Sequence, residues 1–133
     1  MNTDSISDML TRIRNAQAVG HKTVIFPFSK IKFELAKILS AKEFIGAVSE
    51  KEKGPKKKIE VVLNYKDAKN TIPKIQGIIR VSRGGQRIYV GKKDLLAISK
   101  GRGIAILTTS QGLMIDREAK RKGTGGEIIC KIW

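Results

Sequence analysis

The last third of the chain holds three apolar runs too short to be stable helices. They are "GIAIL" from Gly103, "LMI" from Leu113 and "EIICKIW" from Glu127. Runs of this length, bounded by turn residues, read as buried strands. Between the first two stand Thr108 to Gly112, "TTSQG", with hydroxyls, an amide and a glycine but no charge. That composition makes a turn, so the two runs fold back on each other as a hairpin. "DREAKRK" then fits one or two helical turns before the closing strand, and Gly123, Gly125 and Gly126 stand just ahead of that strand.

Upstream the periodicity changes. "DSISDMLTRIRNAQAVG" places Ile6, Met9, Leu10 and Ile13 at helical spacing, with an acidic, hydroxyl-rich start and Gly20 past the end. Arg12 and Arg14 flank this apolar stripe on opposite sides and Asn15 faces away from it. "KTVIFPF" follows as a short strand that Pro27 restricts to an edge or ends early. Ser29 caps a second helix whose buried face is Ile31, Leu35, Ile38 and Leu39, with Lys30, Lys32 and Lys37 on the solvent side. Phe33 also points outward on this wheel, as a covered satellite contact. "FIGAVSE" and "KKIEVVLNY" form a hairpin around Gly54-Pro55, with a basic tip of Lys51, Lys53, Lys56, Lys57 and Lys58. "IQGIIRVS" and "QRIYV" flank a second turn at Gly84-Gly85, and "KKDLLAIS" is a short helix ended by Gly101. The expectation is an α+β fold of two small α/β lobes. Residues 1–68 form a helix–strand–helix–hairpin lobe and residues 69–133 a strand-rich one, with "KDAKN" at the boundary.

The 133 residues suit one compact domain or two such lobes. Hydrophobic residues make up 41%, enough for a core. Against 12 acidic side chains stand 27 basic ones, a formal charge of +15. Such an excess points to a polyanion, nucleic acid first and an anionic membrane surface second. No apolar run approaches the length of a spanning helix, and the N-terminus lacks the layout of a signal peptide.

Catalytic and metal chemistry find little support. One histidine, His21, and one cysteine, Cys130, are too few for a zinc site of Cys and His. Cys130 sits in an apolar run and reads as a buried, reduced thiol of a cytosol-like compartment. In the nucleophile-elbow pattern Thr108 stands where the first glycine belongs. Near Gly91-Lys92 a phosphate loop would need glycine at Gln86 and a hydroxyl at Lys93. Gly123 and Gly125 lack the third glycine of a dinucleotide fingerprint, and the stretch leads into a strand. Gly123 to Gly126 fits G-x-x-G, but no helix follows, unlike a KH domain. Aromatics are only 5%, too few for an evident base-stacking sheet. No catalytic residue, metal or cofactor is expected. A general RNA- or DNA-binding module and a small phosphate-handling enzyme are the alternatives.

Four stretches, "DMLTRIRNA", "SKIK", "GIAILTTSQGLMIDREA" and "GGEIICKIW", resemble the S8 family of bacterial small-subunit ribosomal proteins, in register over nearly the whole chain. There are departures. Thr108-Thr109-Ser110 stands where the family usually has Ser-Thr-Ser, and Gln111 where lysine is common. Arg83-Gly84-Gly85 replaces a basic-Pro-Gly turn, and Glu43 precedes Phe44 where glycine is usual. The resemblance implies two α/β lobes and direct binding to the central domain of small-subunit ribosomal RNA, at an irregular helix, early in assembly. It further implies neighbouring ribosomal proteins as partners, a cytoplasmic location in the small subunit, and repression of the chain's own operon messenger. A bacterial cytoplasm fits better than an organelle, since no transit peptide is seen.

The uncharged loop then has a physical reading. Lysine and arginine hold phosphates, which give affinity with little sequence information. Irregular RNA is read through base edges, 2′-hydroxyls and shape, by groups that both donate and accept. Thr108, Thr109, Ser110, Gln111 and Gly112 form such a surface. Glu127 accepts hydrogen bonds from a base amino group or a ribose, with Gly125 and Gly126 leaving the RNA room to reach it. By resemblance Thr108, Thr109, Ser110, Gly126, Glu127 and Tyr89 fall on RNA-contacting positions. Arg12, Arg14, Asn15, Lys30, Lys32, Lys56, Arg117 and Arg121 complete the candidate set, the cations as phosphate ligands.

Overall fold

The computed structural model describes residues 5–53, 56–99 and 103–133. Asp4, the Gly54-Pro55 turn and the helix end at Gly101 lie outside the described residues. The chain divides into two compact units, one of Ser5–Ile75 and one that includes Gln76–Trp133.

In the first unit α1 (Ser5–Ala18) buries Ile6, Met9, Leu10 and Ile13, the stripe read from spacing. It lies against β1 (Thr23–Pro27), an edge strand that ends at its proline. A chain that loses an N–H donor at Pro27 cannot sit between two partners. α2 (Lys30–Ala41) packs on β2 (Ile45–Lys53), which pairs with β3 (Lys56–Leu63) to complete an antiparallel sheet ordered β1-β3-β2. Ile59, Val61 and Leu63 alternate inward along β3, while Val62 stays 39% exposed.

Three expectations about this unit are corrected. Helix α2 buries Leu35, Ala36 and Leu39 together with Lys32, whereas Ile31 is exposed. The Lys32 stem lies along the core with its ammonium 5.8 Å from the Phe26 ring centre, so it is not a solvent-side lysine. Phe33, half-buried and outside the core, is the covered satellite contact expected of it, and Phe28 is what covers it. Ser29 is the N-cap of α2, accepting from the Lys32 N–H at 3.3 Å. Phe28, just before the cap, and Phe33, four residues after it, therefore form a hydrophobic staple, with ring centres 5.8 Å apart.

 The cap, and not the helical wheel, therefore sets where the Phe33 ring goes. The boundary also moves. "KDAKN" is a structured loop of the first unit, closed by the Asp67 carboxylate, which accepts from the backbone N–H groups of Thr71 and Ile72 at 3.0 and 2.9 Å. The division falls after Ile75 and not after Ala68.

The second unit is built on β8 (Gly126–Ile132). One edge of β8 pairs with β6 (Ile104–Thr109), which in turn pairs with β7 (Gly112–Ile115), all antiparallel. Its other edge pairs with β4 (Ile78–Arg80) and β5 (Tyr89–Val90). The hairpin expected around Gly84-Gly85 is thus corrected. Arg83 and Gln86 do exchange backbone hydrogen bonds across the two glycines, at 2.8 and 3.0 Å. Beyond that turn β4 and β5 do not pair with each other, because both run antiparallel to β8 and share its edge end to end. A 3₁₀ turn (Lys92–Asp94) and α3 (Leu95–Ser99) follow β5, and α4 (Asp116–Lys122) links β7 to β8. Gly123 ends α4 at φ 69°, in the left-handed conformation that favours glycine after a helix. The core gathers Leu95, Ala105, Leu107, Met114, Ala119 and Ile128.

Candidate nucleic-acid interface

Antiparallel register decides which candidates meet. Tyr89 lies directly opposite Glu127 on one side of β8, and Thr108 directly opposite it on the other. Opposed residues of an antiparallel pair project to the same face, so the three side chains form a row across β5, β8 and β6. The row depends on a bulge. Ile106 pairs with Cys130 but Leu107 pairs with Ile128, which leaves Ile129 as the extra residue. Without that shift Thr108 would oppose Ile128, and Glu127 would oppose Thr109, because a one-residue slip inverts every side chain beyond it.

Glu127 is held, not free. The Arg87 guanidinium donates to both of its carboxylate oxygens, at 3.1 and 3.4 Å. The Glu127 side chain is 12% exposed and that of Arg87 58%, so the pair sits at the surface with the carboxylate sheltered. Arg87 belongs to the site and was missed in the sequence. The available signal was alternation, since Arg87 stands two residues before the outward-facing Tyr89. Tyr89 itself is 70% exposed, with its ring turned to solvent.

The hydroxyl-rich loop is tighter than its five residues suggest. Thr108 and Thr109 belong to β6 and Gly112 to β7, leaving Ser110 and Gln111 as the turn. The Thr109 hydroxyl donates to the Gly112 carbonyl at 2.9 Å and accepts from the Gln111 N–H at 3.1 Å. It holds the turn together, while Ser110 and Gln111 are exposed. Gly125 and Gly126 have a different purpose from the one expected. A Cβ on Gly125 would come within 2.3 Å of the Val90 carbonyl oxygen, and one on Gly126 within 2.3 Å of the Thr108 carbonyl oxygen. The space they save is taken by the flanking strands, not left for RNA.

The basic candidates are distributed. Arg117 and Arg121 are exposed, four residues apart on α4, and Arg117 donates to the Gly103 carbonyl at 3.3 Å. In the first unit Arg14, Asn15, Lys30 and Lys56 are exposed. Arg12 is exposed too but engaged, at 3.0 Å from Asp8 and 3.3 Å from the Ile25 carbonyl. Lys32, at 4% exposure, is the one candidate withdrawn from solvent. Burial pulls its ammonium below the ordinary lysine value, with Asp8 opposing and Arg12 adding to the shift. Burial pushes the Cys130 thiol up to about 12. Among the described residues no cluster of His, Cys, Asp and Glu could hold a metal, and no helix is long and apolar enough to cross a membrane.

A model of the ribosomal protein S8 family matches residues 4–133. The chain belongs to the ribosomal protein S8 family. Proteins named small ribosomal subunit protein uS8 are similar along their whole length. That of Synechocystis is 48% identical over 132 residues, covering 99% of this chain and 98% of the relative. The protein of Solibacter usitatus is 46% identical over 133 residues, all of both chains. The one from Nostoc punctiforme is 45% identical over 130 residues, 98% of this chain and 97% of its own. The S8 family consists of structural ribosomal proteins, not enzymes. Its membership accords with the α+β architecture of two antiparallel sheets described above.

Proposed function

We propose that this S8 chain works in the small ribosomal subunit of a bacterial cytoplasm, binding the central domain of the subunit's RNA directly. Its target is an irregular helix, met chiefly by the second unit, with neighbouring ribosomal proteins as further partners. The same surface would hold a similar fold in the chain's own operon messenger. One observation carries the reading: an exposed tyrosine, a sheltered carboxylate and a hydroxyl stand in one row beside an uncharged turn, in a chain of charge +15. Cations elsewhere supply phosphate contacts, and this row supplies groups that read base edges and riboses.

Glu127→Gln tests it with opposite signs. Removing the carboxylate frees the Arg87 charge, which by itself strengthens binding to any RNA. If Glu127 accepts hydrogen bonds from the target, the variant binds the irregular helix worse and a regular duplex slightly better. If the carboxylate only pairs with Arg87, both RNAs bind better and the reading fails. Titration of both RNAs at one salt concentration reads the difference. A general RNA-binding role outside the ribosome predicts loss from small subunits when they are sedimented at high salt; the proposed role predicts retention.

A further inference from the structure

The far end of the β2–β3 hairpin sets like charges against each other. Lys51 pairs directly with Lys58. Opposed cations destabilise an antiparallel pair, and core packing gains nothing from these positions. Carboxylates relieve part of the repulsion: Glu60 is 3.6 Å from the Lys51 ammonium and Glu50 is 3.5 Å from that of Lys57. Among the described residues Lys56 and Lys58 have no such partner.

Those two lysines line an open groove of about 330 Å³ with Lys57, Pro27 and Phe28. Its apolar wall is rigid. Pro27 pairs with Lys58 across the sheet, the Phe28 N–H donates to the Lys57 carbonyl at 3.2 Å, and the staple to Phe33 holds the Phe28 ring. Lys57 lies with its ammonium 4.8 Å from the centre of that ring. A half-exposed ring beside unpaired cations suits a ligand with a flat face and a negative charge.

We propose that this groove is a second RNA site, which takes one unpaired nucleotide. The base lies against Pro27 and Phe28, and its flanking phosphates lie on Lys56 and Lys58. Phosphates relieve the Lys51–Lys58 repulsion, and the ring accepts any base, since stacking is tolerant of sequence. An acidic peptide would satisfy the lysines but give the ring no flat partner. The inference rests on the chain's being an RNA binder, but it concerns the first unit and none of the Tyr89, Glu127 and Thr108 row.

The test uses the full chain and a short oligoadenylate carrying a fluorescent adenine analogue, beside an abasic oligonucleotide of equal charge and an oligoglutamate peptide. The adenine analogue should be quenched on binding, and the abasic strand should bind more weakly. Phe28→Leu keeps an apolar staple and removes the ring, and should weaken oligoadenylate binding by about fivefold or more while sparing the abasic strand. The double variant Lys56→Gln/Lys58→Gln should weaken both strands and melt at no lower temperature than wild type. Equal affinity for the abasic strand, an unquenched analogue, or equal competition by oligoglutamate would overturn the proposal. The first two of these outcomes need no variant to fold. The row is read separately, from the ratio of affinities for the irregular helix and a regular duplex in Glu127→Gln, so failure at the groove and failure of the row are distinguishable.

Discussion

Glu43 sits at φ 65°, a left-handed conformation that costs a residue with a Cβ about 1–2 kcal/mol. It is there because α2 ends in a Schellman turn. The Phe44 N–H reaches the Leu39 carbonyl at 3.0 Å and the Glu43 N–H the Ser40 carbonyl at 3.0 Å. Glu43→Gly should therefore stabilise the chain by roughly 0.5–1 kcal/mol, after the entropy glycine adds to the unfolded state is subtracted. A higher urea midpoint with an unchanged slope would bear this out, and a lower one would refute it. Cys130 makes a different residue-scale prediction. Its folded pKa is pushed up to about 12 by burial, with Arg80 opposing, against an ordinary value of 9.0. The folded state therefore keeps a proton that the unfolded state releases. This contribution is full below pH 9.0 and lost as pH rises toward 12. Comparing urea midpoints of wild type and Cys130→Ala across that window isolates it, and the wild type should lose stability faster.

The β6–β7 turn divides labour between two hydroxyls adjacent in sequence. Thr109 bonds within the turn and Ser110 does not. Thr109→Val should cost about 1 kcal/mol of stability, read as a lower melting temperature. Ser110→Ala should leave melting unchanged and weaken binding to the irregular RNA helix by roughly 1–3 kcal/mol, the cost of a desolvated partner left unmet. A stability loss in Ser110→Ala with intact binding would reverse these assignments. Elements with a strong local pattern were legible in the sequence: the stripe of α1, the edge strand stopped by Pro27, the turn between β6 and β7. What was illegible depends on a partner far along the chain. Residues 78–90 look like a hairpin because Gly84-Gly85 is a good turn, and only β8 decides that β4 and β5 lie end to end. Lys32 was misplaced for a related reason, since a wheel does not contain the Phe26 ring. At the site, the row of Tyr89, Glu127 and Thr108 rests on register and one bulge, which no spacing reveals.

At the scale of the molecule, basic residues occur in both compact units, while the uncharged turn belongs to the second. The boundary was readable only to within a loop, because Asp67 organises a polar stretch that composition alone marks as a linker. This distribution separates affinity from discrimination. Lys30 is exposed at the start of α2, and as a phosphate ligand it meets a group that every RNA carries. Lys30→Ala should weaken binding to the irregular helix and to a regular duplex by similar factors, and lower the salt slope of each by about one. Glu127→Gln should instead change the ratio of the two affinities. The wild-type slope should correspond to far fewer phosphates than the +15 charge, since cations spread over both units cannot all face one helix. Titrations of both RNAs at several salt concentrations, with melting curves for each variant, give all of these quantities together. A Lys30→Ala variant of normal stability that loses discrimination would place recognition in the first unit and overturn the division.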